Sequence, residues 1–222
     1  MIRRVGVAKV RDGVAPDLLQ SWERAALAIP REVPVVTRVC VGHDLNPQKN
    51  WDIMWALEYK DAAAVKTYVE SRHHVGTLIG KHQVDGKHIF GQVQVLYYDT
   101  DAAISKGTSA HLANPIRRTL FIKVREGTPP TRVTEMEQAL AEMPTRIKAV
   151  KNWYFVRAIA PTGPTAWTHL WEHEFADDAG AEEYRVDKFH HDVVGPNFTE
   201  GPRKIADFLI AWQRPAVTFI GP

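Results

Sequence analysis

Large apolar or ring-bearing side chains recur at every second position along two stretches of the chain. This is the period of a β-strand that buries one of its faces. The side chains are Trp51, Ile53, Trp55, Leu57 and Tyr59 in the first stretch, and Trp167, His169, Trp171, His173 and Phe175 in the second. The two stretches correspond position by position at a separation of 116 residues, so the chain contains an internal repeat.

The repeat extends beyond these two stretches. Ile2-Arg3-Arg4 returns as Ile116-Arg117-Arg118, at a separation of 114 residues. A period of this length, seen twice, is typical of a duplicated domain, because solenoid repeats run to about 20–50 residues. We therefore predict a first domain over residues 1–100 and a second over 116–222, with a linker over 101–115 that has no hydrophobic periodicity.

The same order of elements is predicted in each half. A β-branched strand is followed by a glycine turn and by a helix whose apolar residues fall three or four apart. A second strand, the alternating third strand, a second helix and a last strand complete the half. The predicted strands cover residues 4–10, 33–42, 51–59 and 92–98 in the first half, and 117–125, 149–158, 167–175 and 208–213 in the second.

Helix boundaries are predicted from proline and from capping residues. Pro30 and Pro144 are expected to end the first helix of each half, and Asp61 and Asp177 to cap the second. Looser helical stretches are predicted at 74–84 and 200–206. The resulting β-α-β-β-α-β order is that of a ferredoxin-like α+β unit, which leaves one sheet face bare. Two such units in one chain predict an intrachain pseudo-dimeric α+β barrel.

Composition narrows the possible partners. The chain is 45% hydrophobic and 24% charged, and its net charge of +2 is too small to indicate a nucleic-acid partner. Cys40 is the sole cysteine, so an intrachain disulfide is excluded, and its apolar neighbours predict a buried side chain. No apolar run approaches the roughly 18 residues of a membrane span, and a cytoplasmic location is expected.

In each half, the Asp-capped helix after the third strand carries a tyrosine. A histidine lies six residues after that tyrosine. The first half carries them as Tyr68 and His74, with Val75-Gly76 behind, and the second as Tyr184 and His190. With these motifs the chain resembles the stress-responsive dimeric α+β barrel (Dabb) family, which includes olivetolic acid cyclase-type domains. The resemblance implies a pocket between sheet and helices, a small hydrophobic or aromatic carbonyl substrate, and aldol cyclisation or a related lyase or isomerase step without a cofactor.

The resemblance also implies roles for particular residues of the second half. Tyr184 and His190 match the proposed substrate-orienting tyrosine and the base, and His169 matches a strand histidine that lines the same cavity. In the first half Tyr68 and His74 match, whereas Ile53 replaces the strand histidine. The family's first-strand histidine is Arg118 here, and Arg4 in the first half, which departs from the cyclase pattern.

The histidines of the third strand provide an argument from this sequence alone. His169 and His173 replace Ile53 and Leu57, so apolar residues satisfy the scaffold at these positions. A buried imidazole needs hydrogen-bond partners, and the asymmetry therefore favours a site in the second half. Arg118 could there hold a carboxylate or enolate, while the walls of the pocket would be Trp167 and Trp171.

Other interpretations remain open at this stage. The Tyr–His pairs could maintain the fold, since both halves keep them, and the protein could be a non-catalytic stress-responsive ligand-binding or structural barrel. His169, His173 and His190 could instead bind a metal, in a metal- or haem-assisted oxygenase. We rank a metal-free site first and expect no nucleic-acid or membrane partner. The fused barrel could also form a homodimer.

Overall fold

The computed structural model describes residues 1–46, 51–107, 112–159 and 165–219. The strands in these ranges are β1 (Ile2–Val10), β2 (Val36–His43), β3 (Ile53–Tyr59), β4 (Gln83–Val84), β5 (Lys87–His88), β6 (Phe90–Asp99), β7 (Ser105–Gly107), β8 (Ile116–Val124), β9 (Trp153–Arg157), β10 (His169–Phe175), β11 (Ala206–Gln213) and β12 (Ala216–Phe219). The α-helices are α1 (Pro16–Leu27), α2 (Ile29–Glu32), α3 (Ala62–Glu70), α4 (Pro130–Arg146) and α5 (Asp178–Val186). Shorter turns of helix are π-helical at His73–Ile79 and His190–Val194, and 3-10 at Gly195–Asn197.

Ten of these strands form two five-stranded antiparallel sheets, and β4 and β5 pair as a separate two-stranded sheet. Four strands of each sheet run in the ferredoxin-like order last, first, third, second: β6-β1-β3-β2 and β11-β8-β10-β9. The fifth strand comes from outside the half in both cases, because β12 of the second half pairs with β2 and β7 of the predicted linker pairs with β9. The predicted α+β class and its two ferredoxin-like units are confirmed, and the predicted linker contains a strand.

The bare faces of the two sheets pack against each other, as predicted. One cluster of buried side chains combines residues of both halves. From the first half it takes Val5, Val7, Cys40, Met54, Ala56, Leu96 and Tyr98, and from the second Phe121, Val156, Leu170 and Ala211. The opposite face of each sheet packs under its own helices. Among the described residues, no helix combines the length and the hydropathy needed to cross a membrane.

Charged groups are buried between the sheets, which the sequence did not predict. Arg3 of the first half lies 2.6 Å from Glu172 of the second, and both side chains are 4% exposed. Arg117 forms a second pair with Glu174, also at 2.6 Å. Cys40 is buried as predicted, and its Sγ accepts a hydrogen bond from Nη1 of Arg117 at 3.0 Å. The layer therefore combines apolar packing with paired charges, and the Arg3–Glu172 pair crosses between the halves.

The structure confirms some of the predicted helix boundaries and differs from others. The carboxylates of Asp61 and Asp177 accept hydrogen bonds from the backbone of Ala64 and Gly180, which confirms both caps. Pro144 does not end its helix, since it lies in the last turn of α4, where a missing N–H removes a single helical hydrogen bond. The helical stretch predicted at 200–206 is wrong, because its counterpart lies at residues 190–197.

Candidate functional site

The helix-facing side of β10 carries His169 and His173. Strand alternation places Trp171 and His173 on this face, and α5, capped by Asp177, brings Tyr184 over them. Ring centroids lie 5.0 Å apart for His173 and Tyr184, and 4.9 Å apart for His173 and Trp171. The π-helical turn then brings His190 onto Tyr184, with ring centroids 4.3 Å apart.

Arg118 completes this group. It is paired with His173 across the sheet, and its guanidinium carbon lies 5.2 Å from the ring centre of Tyr184 and 5.5 Å from that of Trp212. The side chain is buried, with 6% of the residue exposed. Arg118, Trp171, His173, Tyr184 and His190 therefore form one cluster, which we call the arginine–histidine cluster.

Many polar atoms of this cluster lack a partner. Nε and Nη1 of Arg118, both ring nitrogens of His173 and Nδ1 of His190 are buried without a hydrogen bond to any described residue. Buried nitrogen atoms are almost always paired in folded proteins, because leaving one unpaired costs about 1–3 kcal/mol. Five such atoms in one place are more typical of a binding site than of a packed core.

The protonation states of the cluster follow from burial. Desolvation, helped by the charge of Arg118, lowers the pKa of His173 well below its usual range and that of His190 to about 4. Desolvation also raises the pKa of Tyr184, against the opposing effects of Arg118 and of the Trp171 indole N–H. At neutral pH both imidazoles are uncharged and the phenol is protonated.

His169 lies apart from the cluster. Its Nε2 lies 3.0 Å from Oε1 of Glu137 on α4, and its Nδ1 lies 2.8 Å from the hydroxyl of Thr168. The same carboxylate accepts two hydrogen bonds from Arg157, at 2.7 and 2.8 Å. His169 and His173 share a strand face but are four residues apart, which is about 13 Å. His169 thus belongs to a helix-to-sheet hydrogen-bond network.

Trp167 does not form a wall of this site. Its indole N–H donates to Oε1 of Gln94 in the first half at 3.0 Å, and its ring packs on Phe121 in the layer between the sheets. The regular strand begins only at His169, so the alternation that predicted a shared face with Trp171 does not reach Trp167. Trp51, which precedes β3 in the same way, also packs in the layer between the sheets.

The first half contains an open pocket at the corresponding place. A cavity of about 280 Å³ lies between its sheet and helices. Its lining combines apolar and aromatic side chains with four polar ones. The former are Trp22, Trp55, Leu78, Ile79, Phe90 and Val93, and the latter are Arg4, Tyr68, His74 and His88. We call it the first-half pocket. Its position contrasts with the expectation of a pocket lined by His169 and His173.

The rings of Tyr68 and His74 lie side by side in the wall of this pocket. The ring centroids are 4.7 Å apart, and Nδ1 of His74 donates to the backbone carbonyl of Val69 at 3.0 Å, which leaves Nε2 as the unprotonated nitrogen. Desolvation lowers the pKa of His74, helped by Arg4, and it raises the pKa of Tyr68 to about 12. The pocket therefore holds a neutral base beside a protonated phenol.

The three histidines proposed as metal ligands are not brought together, because His169 is held by Glu137 away from His173 and His190. Within the described ranges, no group of three or more His, Cys, Asp or Glu side chains has an arrangement that could hold a metal ion.

Comparison with known proteins agrees with this architecture. Residues 116–206 match the model of the Dabb family, described as the stress responsive A/B barrel domain. The second half is a Dabb domain. The first half repeats its elements in the same sheet order, and the Dabb resemblance drawn from the sequence motifs is confirmed. No curated protein matches the chain.

Solved structures share the whole two-unit architecture with this chain. An anthrone oxidase-like protein superposes with a TM-score of 0.68 at 10% identity, covering 100% of this chain and 94% of that one. A "putative monooxygenase" from Fusobacterium nucleatum gives 0.65 at 13% identity, covering 99% and 94%. One from Lactobacillus acidophilus gives 0.58 at 9% identity, covering 98% and 95%. At these identities the similarity concerns the fold.

Sequence reasoning missed the partners of the predicted site residues. Glu137, which holds His169 and Arg157, corresponds to Glu23, and Glu23 contacts His43, the counterpart of Arg157, at 2.9 Å in the first half. The 114-residue offset aligns Glu137 with Glu23, so this repeated contact between helix and sheet could have been recognised from the sequence. Trp212, which packs on Arg118, carries no motif that could have revealed it.

Proposed function

We propose that the protein is a small-molecule enzyme that performs acid–base chemistry next to a carbonyl group, with the first-half pocket as its substrate site. The observation that carries this proposal is the Tyr68–His74 pair in the wall of an apolar cavity. The cavity volume of about 280 Å³ suits a small hydrophobic or aromatic carbonyl compound.

The proposed chemistry follows from the protonation states. Neutral His74 removes a proton from the carbon next to the carbonyl, and Tyr68 donates a hydrogen bond to the oxygen on which negative charge develops. The charge of Arg4, which lies over the Tyr68 ring at 5.9 Å, further stabilises that oxygen. The enolate formed in this way can add to a second carbonyl of the same substrate, which is an aldol cyclisation, or can expel a leaving group.

The second half has the same pair as Tyr184 and His190, in the arginine–histidine cluster. The sequence-based assignment of catalysis to His169, Tyr184 and His190, with binding by Arg118, Trp167, Trp171 and His173, stays a prediction. The open cavity favours the first half for the apolar substrate, and in this proposal Tyr68 and His74 take the roles predicted for Tyr184 and His190. A homodimer of the fused barrel and a cytoplasmic location also stay predictions.

Oxygenation is a second candidate, because structural neighbours carry the name monooxygenase. An enolate or phenolate formed beside His74 can react with dioxygen as well as with a carbonyl. Both reactions begin with the same proton transfer and differ in the consumption of oxygen.

The test is a turnover assay with a panel of aromatic and linear β-diketone compounds, in which product formation and oxygen uptake are recorded together. Tyr68→Phe and His74→Ala are expected to lower turnover by about 10²–10⁴-fold, the usual contribution of a general base or an oxyanion donor. Tyr184→Phe and His190→Ala are the matched controls from the second half. Full activity in both first-half variants would overturn the proposal, and loss of activity confined to the second-half variants would move the site there.

A further inference from the structure

A polar cavity lies at one end of the layer between the two sheets, and the proposed reaction does not use it. Its volume is about 310 Å³, near the lower limit of the about 300–1,000 Å³ of ligand pockets. We call it the inter-sheet cavity. Both sheets supply its walls, which include Arg3 and Arg38 from the first sheet and Arg117, Tyr154, Glu172 and Glu174 from the second. The cavity therefore depends on the packing of one half against the other.

The repeat places equivalent charged groups on the two facing sheets. In the first sheet, one oxygen of Glu58 lies 3.5 Å from Nε of Arg3 and 3.4 Å from Nη1 of Arg38. The corresponding carboxylate of the second sheet is Glu174, and it lies 2.6 Å from Nη2 of Arg117. Strand alternation directs these side chains away from the helices and into the layer between the sheets.

Glu172 adds a third carboxylate, although the first half has Ala56 at this position. Its Oε1 lies 2.6 Å from Nη1 of Arg3, and its Oε2 accepts a hydrogen bond from the hydroxyl of Thr119 at 3.3 Å. The formal charges of the three guanidinium groups and the three carboxylates cancel. The cavity is thus surrounded by strongly polar groups in balanced numbers.

This balance narrows the class of ligand. A charged ligand would have to separate an existing ion pair, which is strongly unfavourable in a buried layer. A hydroxyl group both donates and accepts hydrogen bonds, so it can accept from a guanidinium N–H and donate to a carboxylate oxygen while the ion pairs stay intact. A neutral molecule with several hydroxyl groups therefore matches these walls better than an anion or a cation.

Two more features of the walls support such a ligand. Nε of Arg3 is buried and forms no hydrogen bond to a described residue, although an oxygen of Glu58 lies 3.5 Å away. The rings of Trp153 and Tyr154 also line the cavity, and they offer apolar surface to the C–H groups of a sugar or cyclitol ring. We propose that the inter-sheet cavity binds a neutral polyhydroxylated compound of the size of one sugar ring.

The charges of the cavity favour binding over proton transfer. Against the opposing effect of burial, Arg117 and Asn152 lower the pKa of Glu174, so this carboxyl group stays ionised and is unsuited to act as a general acid. Burial lowers the pKa of Arg3, but the charge of Glu172, with smaller effects of other neighbours, outweighs burial and raises it. The inter-sheet cavity is in this respect unlike the first-half pocket.

D-Glucose, D-xylose and myo-inositol are the probes, and sodium sulfate and glycine are the anionic and zwitterionic controls. Sugars stabilise folded proteins in general because they are excluded from the protein surface, so a shift of Tm does not measure binding here. Titration calorimetry with the full chain gives Kd directly. At least one of the three polyols is expected to bind, and sulfate and glycine are expected to bind at least about tenfold more weakly than this polyol.

The indole N–H signals of the seven tryptophans locate the bound polyol in NMR spectra of the natural chain. The signal of Trp153 is expected to shift, because its ring lines the inter-sheet cavity. Trp22 and Trp55 line the first-half pocket, and their signals are expected to stay in place. Single Trp→Phe substitutions assign the signals.

Two variants test the walls. Tyr154→Leu removes one aromatic ring, and Arg38→Met removes a guanidinium whose side chain is 30% exposed. Each is expected to weaken polyol binding by about tenfold or more. Trp167→Leu removes a ring that packs on Phe121 elsewhere in the same layer, and Arg31→Met removes an exposed arginine of α2. These matched controls are expected to leave Kd within about twofold.

The proposal is overturned if no polyol binds, or if sulfate or glycine binds as tightly as the best polyol. It is also overturned if the signal of Trp153 stays in place while that of Trp22 moves, or if the control variants weaken binding as much as Tyr154→Leu and Arg38→Met. None of these outcomes depends on turnover, so failure here leaves the proposed function of the first-half pocket intact.

Discussion

Leu57 and His173 occupy the same position in the two halves, each paired across its sheet with the first-strand arginine. Leu57 is buried hydrocarbon, whereas His173 is 1% exposed and neither of its ring nitrogens has a hydrogen-bond partner among the residues that the structure describes. The scaffold is therefore stable with an apolar residue here, and the buried imidazole lowers the stability of the fold. Destabilising residues of this kind are typical of binding sites.

His173→Leu is expected to stabilise the protein. Removal of two unpartnered buried nitrogens should raise the free energy of unfolding by about 1–3 kcal/mol at pH 7. Urea unfolding measures the change. The reverse substitution Leu57→His is the matched control and should lower the free energy of unfolding. A destabilised His173→Leu variant would contradict the view that this histidine is present for function.

Stability is expected to fall in mild acid. Burial lowers the pKa of His190 to about 4 in the folded chain and that of His173 well below its usual range, and both pKa values return to about 6.5 on unfolding. Between these pH values the unfolded state binds more protons than the folded state. The contribution is thus complete above about pH 6.5 and is lost as the pH falls towards 4.

Thermal unfolding from pH 7.5 to 4 measures this loss. His74 and His169 also have lowered pKa values and contribute to it, so the comparison with a variant isolates the cluster. His173→Leu is expected to show a shallower decline of Tm with acid than the natural chain. Identical slopes for the two proteins would argue against a buried neutral imidazole at this position.

Turnover is expected to be independent of pH from about 7 to 9. The lowered pKa of His74 keeps this base neutral down to pH values below the usual imidazole range near 6.5. The pKa of Tyr68, about 12, keeps the phenol protonated through the alkaline range. A pH profile of kcat/KM checks both limits. An acid limb with its midpoint above 6.5 would contradict the assignment of His74 as the base.

Glu172 is expected to be essential for stability, although the first half has Ala56 at the same position. Glu172→Ala leaves Arg3 buried between the sheets without its closest partner, which should cost about 3–5 kcal/mol of unfolding free energy in urea. The double variant Arg3→Leu/Glu172→Ala should recover most of the loss. The exposed pair of Lys66 and Glu70 provides a control, since Glu70→Ala should cost less than about 1 kcal/mol.

His169→Ile tests whether this histidine is catalytic or structural. Ile53 shows that the fold accepts isoleucine at this position, and Arg157 still pairs with Glu137. We expect turnover to stay within about twofold of the natural chain, far from the 10²–10⁴-fold loss expected for a general base. A loss of that size would restore the catalytic role predicted from the sequence.

Periodicity and capping predicted the order of elements because they are local properties. Alternation located β3 and β10, and Asp61 and Asp177 fixed the start of the helices behind them. The pairing of the bare sheet faces then followed from counting strands and helices. The alternation rule failed where the strand was shorter than its sequence pattern. Trp167 precedes the start of β10 and packs in the layer between the sheets, on the opposite side from the helices.

The exchanged strands and the open pocket were beyond this kind of reasoning. β7 has three residues and β12 has four, too few to show a period, and their partners lie far away in the chain. The location of the pocket depends on how the side chains of both halves fill their interiors. Of the β10 histidines, His173 lies in the arginine–histidine cluster and His169 lies apart from it, whereas Tyr68 and His74 border an open cavity.

The exchange of β7 and β12 has a consequence for synthesis. The partner of β2 is translated about 110 residues after the first half is complete, a delay of roughly 5–20 s at ordinary ribosomal speed. During that interval the outer edge of β2 presents unsatisfied amide and carbonyl groups, which are a template for association with other nascent chains. Premature termination before Ala216 would leave this edge exposed permanently, so truncated products should be targets for chaperones and proteases.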